Sequence, residues 1–205
     1  SGCALLDCVL GGGWPLGRIA NIVGDKSTGK TLLAIEACAN FLNQYHNGEV
    51  LYIEAEAAFD RDYATALGLP VKRISFPENI GTVEQMFEAI GEFIGFDLTK
   101  AKDKEEDDDR RRASKKRRVV PGLVVVDSLD ALSDEAEAGR GIREGSYGAS
   151  KARKLSEIFR RLVQALSAAR TAVLIISQVR DNIGVTFGSK HTRSGGKALD
   201  FYASQ

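Results

Sequence analysis

The chain has 205 residues, 43% of them hydrophobic, and its 28 lysine and arginine residues balance 28 aspartate and glutamate residues. This size and composition exclude a disordered chain and predict a globular protein of one domain, at most two. The formal net charge of zero excludes a global basic field for nucleic acid, so any such contact has to come from local patches.

The cysteines and the hydropathy pattern indicate the compartment. Cys3, Cys8 and Cys38 have neither a metal-ligand spacing nor an even count, which favours reduced intracellular thiols over disulfides. Cys38 lies in a helical pattern and is predicted to be in the core. No stretch approaches the length of a membrane span, and the N-terminus lacks the layout of a signal peptide. We therefore predict a cytoplasmic protein that makes no contact with a membrane.

Strands and helices alternate along the chain after a glycine-rich entry. Apolar runs predict strands at 19–23, 51–55, near 74, 123–126, 172–176 and 198–203. Helical patterns cover 31 to about 45, 60–67, 82–96 and 148–170. The run 123–126 is continuously apolar, as expected of a parallel strand that is covered on both faces. This order predicts an α/β fold, a three-layer sandwich with a mostly parallel central sheet.

The segment between the first strand and the first long helix fits the phosphate-binding pattern G-x-x-x-x-G-K-[ST]. In that position, its backbone N–H groups and the positive end of the helix would face a polyphosphate. Lys30 would reach the β- and γ-phosphates, and the hydroxyl of Thr31 would hold Mg²⁺. A glycine-rich turn that matches by chance is the alternative. The predicted nucleotide-binding residues are Gly24, Asp25, Lys26, Ser27, Thr28, Gly29, Lys30 and Thr31.

Polar side chains at the ends of three other strands are candidates for the rest of the site. Asp127 would be the outer-sphere partner of Mg²⁺ at the carboxyl edge of the sheet, unless it only caps a helix. The second strand is predicted to end at Glu56, and because side chains alternate across a strand, Glu54 and Glu56 point the same way, so one of them could polarise water. A solvated strand end is the alternative for both. Gln178 could hydrogen-bond a γ-phosphate and sense its presence.

One segment interrupts the alternation of strands and helices. An acidic block at 105–109 runs directly into basic residues at 110–112 and 115–118. With almost no apolar residues, the segment 97–121 is predicted to be a charged surface insertion within the domain. The alternative is a basic arm that approaches nucleic acid, or a targeting patch.

Several further segments carry a resemblance to a known family. They are Gly17 to Ile19, Tyr52 to Asp60, Val124 to Ser128, Ser177 to Arg180, Ile183 to Gly188 and Gly195 to Ser204. Together they resemble the ATPase core of the bacterial RecA recombinases, over nearly the whole chain apart from the charged insertion. The resemblance implies a P-loop NTPase core of the RecA-like type over 1–205. It also implies that this core is truncated at both ends relative to the family.

The resemblance assigns roles to residues that the patterns alone leave open. Glu56, not Glu54, would be the catalytic carboxylate, acting with Lys30 and with Gln178 as the γ-phosphate sensor. Asp60 and Tyr63 would contact the adenine of ATP. Without the resemblance, Tyr63 would be assigned to the core.

The resemblance also implies two DNA-binding loops, at about 134–147 and 179–196. The second loop is rich in glycines and cations, so its backbone N–H groups and positive charges could surround phosphates. Contacts to phosphates without contacts to base edges give binding that tolerates any sequence. Arg153 and Arg160 would add cations on the helix after the first loop, unless they belong to an ordinary solvated face. Ile183 would wedge between base triplets. The implied DNA contacts are Arg153, Arg160, Arg180, Ile183, Gly184, Phe187, Lys190, Arg193, Gly195 and Gly196.

These observations predict a DNA-dependent ATPase core for homologous recombination and DNA repair. It would bind ATP and Mg²⁺, polymerise on single-stranded DNA as a helical filament in the full-length protein, and pair that strand with duplex DNA. A repair ATPase or helicase motor of the same fold is one alternative, and a small-molecule kinase is another. A non-catalytic module that binds ATP as a structural ligand is the third.

Overall fold

The computed structural model describes residues 1–96, 120–138, 148–181, 191–193 and 198–205. The predicted insertion at 97–121 lies almost entirely outside these residues. The helices are α1 Ala4–Val9, α2 Lys30–Gln44, α3 Arg61–Ala66, α4 Val83–Ile94, α5 Glu135–Ala138, α6 Gly148–Ala169 and α7 Ala198–Tyr202, with a 3₁₀ turn at Val71–Arg73. The strands are β1 Ile19–Gly24, β2 Glu49–Glu54, β3 Ile74–Ser75, β4 Gly122–Asp127, β5 Thr171–Asp181 and β6 His191–Arg193.

The central sheet has the order β1-β5-β4-β2-β3, and its neighbouring strands run parallel. Strand β6 pairs antiparallel with the last residues of β5. The α/β fold with a mostly parallel sheet is therefore confirmed. The parallel arrangement brings the carboxyl ends of its strands to one edge, where ligands of open α/β sheets bind.

Helices cover both faces of this sheet, because successive side chains of each strand point to opposite sides. On one face Ile53, Val126 and Ile175 pack with residues of α4 and α6. On the other face Tyr52 and Val125 pack with residues of α2, including the buried Cys38. The three-layer sandwich and the core position of Cys38 follow the prediction. None of the helices within the described ranges is long and apolar enough to cross a membrane.

The register of the strands sets which residues meet at the carboxyl edge. Gly24 at the end of β1 lies opposite Gln178 in β5, and Glu54 at the end of β2 lies opposite Asp127 in β4. Each pair joins residues more than seventy positions apart in the chain. The start of the glycine loop and three of the predicted polar residues therefore lie along the same edge.

The predicted strand at 198–203 is wrong, because most of it forms helix α7. Ala198 and Leu199 are buried, Phe201 is exposed, and Tyr202 is half-buried against the core formed with α6. This spacing fits one side of a helix and not the alternation of a strand. Within 198–203, only Ala203 forms a bridge with the sheet, parallel to Ile19, and Ser204 and Gln205 continue this pairing through backbone hydrogen bonds to β1.

Candidate nucleotide-binding site

The glycine loop lies between β1 and α2, as its mechanism requires. Gly29 has a φ of 84° and directly precedes α2, with no side chain capping that helix start. The first N–H groups of α2 are thus left for another acceptor, as in phosphate-binding helix ends. A Cβ atom at Gly24 would come within 2.8 Å of Thr28 Oγ1, so a larger residue there would displace the Thr28 side chain from its place in the loop. The loop fits a polyphosphate.

Lys30 reaches back over the same loop. Its Nζ donates a hydrogen bond to the Asp25 carbonyl oxygen at 2.6 Å, and Thr28 Oγ1 donates to the same oxygen at 2.9 Å. The acceptor is a neutral carbonyl, so this contact does not neutralise the ammonium charge. The side chain is therefore suited to a second, anionic acceptor at the loop.

Asp127, at the end of β4, is hydrogen-bonded to both helix α2 and strand β2. Thr31 Oγ1 and the Tyr52 hydroxyl both donate to its Oδ2, each at 2.8 Å. Burial raises the pKa of Asp127, the two hydroxyl donors oppose that rise, and the carboxylates of Glu56 and Glu54 add to it. Burial, and then the charge of Asp127, raise the pKa of Tyr52, so its hydroxyl remains protonated and can donate.

The donor set suits Mg²⁺. The Thr31 hydroxyl is a hard oxygen ligand, and the Asp127 carboxylate beside it could act on Mg²⁺ as an outer-sphere partner, since Mg²⁺ usually keeps several waters and binds together with substrate phosphates. Within the described residues, no group of three or more His, Cys, Asp or Glu side chains could hold a metal ion. Mg²⁺ bound at this edge would take its other ligands from water and from the nucleotide phosphates, as is usual for this ion.

The structure gives Glu54 and Glu56 different surroundings. Strand β2 ends at Glu54, whose Oε1 accepts a hydrogen bond from the Ala58 N–H at 2.8 Å. Ala57 has a φ of 53°, so the chain turns and strand alternation does not extend to Glu56. Glu56 Oε1 instead accepts a hydrogen bond from Gln178 Nε2 at 3.0 Å and another from Ser128 Oγ. Glu56 and Gln178 are thus in contact, while Glu54 closes a turn.

Sequence reasoning missed three residues of this edge. Ser128 contacts Glu56, Tyr52 contacts Asp127, and Asp130 Oδ2 accepts a hydrogen bond from the backbone N–H of Gln178 at 2.7 Å. Ser128 and Asp130 come from the turn after β4. Of these three, only Tyr52 could have been found from the sequence, because the hydroxyl of a tyrosine in a buried strand needs a hydrogen-bond partner.

The two predicted adenine contacts lie at the start of α3. Asp60 caps this helix, since its Oδ1 accepts from the N–H groups of Asp62 and Tyr63 at 2.9 Å. The Tyr63 residue is 49% exposed, so it does not belong to the core as its pattern alone suggested. Its ring is accessible to a planar ligand, and the role of both residues with adenine stays a prediction.

A family model matches almost the whole chain. The model of the RecA N-terminal domain matches residues 1–97 and 117–205. The chain belongs to the RecA family. The residues that the RecA-family model leaves unmatched, 98–116, fall within the segment predicted as a charged insertion.

Curated relatives agree with the RecA-family match. Protein RecA of Bacteroides thetaiotaomicron is 38% identical over 211 residues, which cover 100% of this chain and 54% of the relative. Protein RecA of Streptomyces venezuelae is 36% identical over 207 residues, covering 100% of this chain and 47% of the relative. Protein RecA of Petrotoga mobilis is 35% identical over 206 residues, covering 100% and 49%. The chain thus spans about half the length of these relatives. Because each of them is named protein RecA, the helicase and kinase alternatives are not favoured.

The predicted DNA contacts of this RecA-family chain are only partly described. Arg153 and Arg160 are exposed on α6, seven residues apart, and so lie on one side of the helix. Arg180 and Arg193 belong to β5 and β6. The side chains of those two, and all of Ile183, Gly184, Phe187, Lys190, Gly195 and Gly196, lie outside what the structure describes.

Proposed function

We propose that this chain is the ATP-binding core of a DNA-dependent ATPase that acts in homologous recombination and DNA repair. The relatives named protein RecA support this proposal, since they match the chain over its entire length. ATP and Mg²⁺ are the proposed ligands. Single-stranded DNA, duplex DNA and further copies of the protein in a helical filament are the proposed partners, in the cytoplasm.

The observation that carries the proposal is the contact between Gln178 and Glu56. The amide Nε2 lies 3.0 Å from the carboxylate, and the same residue is in register with Gly24 at the start of the phosphate loop. The predicted second DNA loop begins at the next residue, 179. Gln178 therefore lies beside the start of the glycine loop through its backbone, contacts the proposed catalytic carboxylate through its side chain, and directly precedes the proposed DNA-binding segment.

Each residue of the site has a definable task in ATP hydrolysis. Lys30 and the N–H groups at the start of α2 would hold the phosphates, and Glu56 would orient and deprotonate the attacking water. Thr31 and Asp127 would hold Mg²⁺, which neutralises charge on the phosphates when bound. Gln178 would donate its amide to the γ-phosphate, exchanging that contact with the one it makes to Glu56. This exchange would order or release the segment that follows.

The test is ATP hydrolysis by the chain and by the longest natural form of the protein, with and without poly-dT, at several salt concentrations. We expect strong stimulation by DNA that fades as salt rises, because phosphate contacts release counterions. Lys30→Ala should abolish the stimulated activity. Hydrolysis that is indifferent to DNA, in the longest form as well, would refute the proposed function.

A further inference from the structure

Tyr52 stands out in the middle of the apolar strand β2. Its side chain is fully buried, with Leu51 and Ile53 as its neighbours along the strand. Its ring packs against Phe59 at 4.7 Å and Phe76 at 5.7 Å between centroids. A phenylalanine would supply the same packing, so what distinguishes Tyr52 is its hydroxyl group.

The hydroxyl is directed at one oxygen of Asp127. It donates to Oδ2 at 2.8 Å, and Thr31 Oγ1 donates to the same atom at 2.8 Å from the start of α2. Within the described residues, both hydrogen bonds to this carboxylate therefore end on the same oxygen, Oδ2, and none ends on Oδ1. Two donors from two elements hold Oδ2 in place and resist rotation of the carboxylate.

We propose that Tyr52 is a positioning residue, which holds the Asp127 carboxylate so that its second oxygen faces the Mg²⁺ of the bound nucleotide. This inference rests on the proposed function, because it requires the site to bind Mg²⁺ with ATP. Tyr52 does not contact the nucleotide in this role. It acts through Asp127, in the way that outer hydrogen-bond partners orient the ligands of metal sites.

A purely structural role for Tyr52 makes a different prediction. If its hydroxyl only satisfies a buried carboxylate, its removal lowers the stability of the fold but leaves the Mg²⁺ requirement of nucleotide binding unchanged. If it orients Asp127, its removal changes that requirement. The dependence of binding on Mg²⁺ therefore separates the two roles without measuring hydrolysis.

The experiment is a Mg²⁺ titration of the unmodified chain and of Tyr52→Phe with a fluorescent, non-hydrolysable ATP analogue. We expect the Mg²⁺ concentration at half-maximal binding to rise at least about ten-fold in Tyr52→Phe, since loss of an outer partner typically weakens metal affinity by that factor or more. Binding of the analogue in EDTA should be the same for both proteins. 4-Aminophenylalanine at position 52 keeps a donor and should restore the midpoint.

Phe76→Leu is the matched control. It disturbs the same aromatic cluster but leaves the hydroxyl on Asp127 in place, so it should lower the unfolding temperature without moving the Mg²⁺ midpoint. If Tyr52→Phe does not fold, 4-methylphenylalanine at position 52 fills the space without donating. Comparison with 4-aminophenylalanine then gives the same test.

The outcomes distinguish this inference from the proposed function. Three results would overturn the role of Tyr52 and leave the proposed function standing. They are an unchanged Mg²⁺ midpoint in Tyr52→Phe, a midpoint shift in Phe76→Leu as large as that in Tyr52→Phe, and a loss of analogue binding in Tyr52→Phe that is as large in EDTA as in Mg²⁺. If the unmodified chain shows no Mg²⁺-dependent binding of the analogue, the proposed function fails and this inference fails with it.

Discussion

Two glutamates two positions apart have different partners at the carboxyl edge. Glu54 Oε1 accepts a backbone N–H within its own turn, while Glu56 Oε1 accepts the amide of Gln178 and the hydroxyl of Ser128. Both residues end with the same carboxylate, so the difference lies in where the chain turns. A neutral side chain at each position therefore tests which carboxylate acts on water.

Glu56→Gln should abolish turnover while nucleotide binding survives. An amide cannot accept a proton from water at neutral pH, and loss of a general base typically costs about a hundred-fold or more in rate. ATP hydrolysis by a coupled assay and equilibrium binding of a fluorescent ATP analogue give the two readouts.

Glu54→Gln is the matched control for that prediction. Its amide oxygen can still accept from the Ala58 N–H, so turnover should stay within about three-fold of the unmodified chain. Equal losses in both variants would show that the two carboxylates act together. Turnover that survives in Glu56→Gln would remove Glu56 from the catalytic role and favour a module that binds ATP without hydrolysing it.

At the scale of elements, capping explains where α4 begins. Thr82 Oγ1 accepts from the Gln85 N–H at 3.2 Å, and Gln85 Oε1 accepts from the Thr82 N–H at 3.2 Å, which is a complete capping box. Behind this cap, Val83, Met86 and Ile90 are buried against the sheet. Because the cap fixes where α4 begins, it also fixes which side of this helix packs on the sheet. That sheet face is the one opposite the face covered by α2.

Thr82→Ala should lower the free energy of unfolding by about 0.5–2 kcal/mol, because the side chain of an N-cap satisfies helix N–H groups. Urea denaturation followed by circular dichroism measures the change. Thr65→Ala in α3 is the control, since Thr65 is exposed and only bonds the Arg61 carbonyl of its own helix. That control should stay within about 0.5 kcal/mol. If both variants lose the same stability, the cap contributes nothing specific.

At the scale of the molecule, the parallel sheet gathers the site from distant parts of the chain. The turn after β4 brings Ser128 and Asp130 to this edge, and Lys151 of α6 holds that turn by donating to the Leu129 carbonyl at 3.0 Å. Helix α6 also presents Arg153 and Arg160 to solvent. The helix that holds this turn of the proposed nucleotide site therefore also carries the proposed DNA contacts whose side chains the structure describes.

Arg153→Ala and Arg160→Ala should each weaken binding of single-stranded DNA without regard to sequence. Loss of one phosphate contact should reduce the slope of log affinity against log salt by about 1. Fluorescence anisotropy of labelled dT and mixed-sequence oligonucleotides, with the ATP analogue and Mg²⁺, measures both effects. Lys72→Ala is the control, an exposed cation next to β3. A change of the same size in Lys72→Ala, or none in the arginine variants, would contradict this placement of DNA.

Local periodicity and short-range spacing were enough to predict the α/β class, the glycine loop between β1 and α2, and the polar residues at the strand ends. It misassigned α7, since five residues give little periodicity and burial against the core decided their conformation. Only the tertiary structure placed Gln178 on Glu56 and Tyr52 on Asp127. These contacts depend on the register of strands far apart in the chain, which is decided when the whole sheet is packed between its helices.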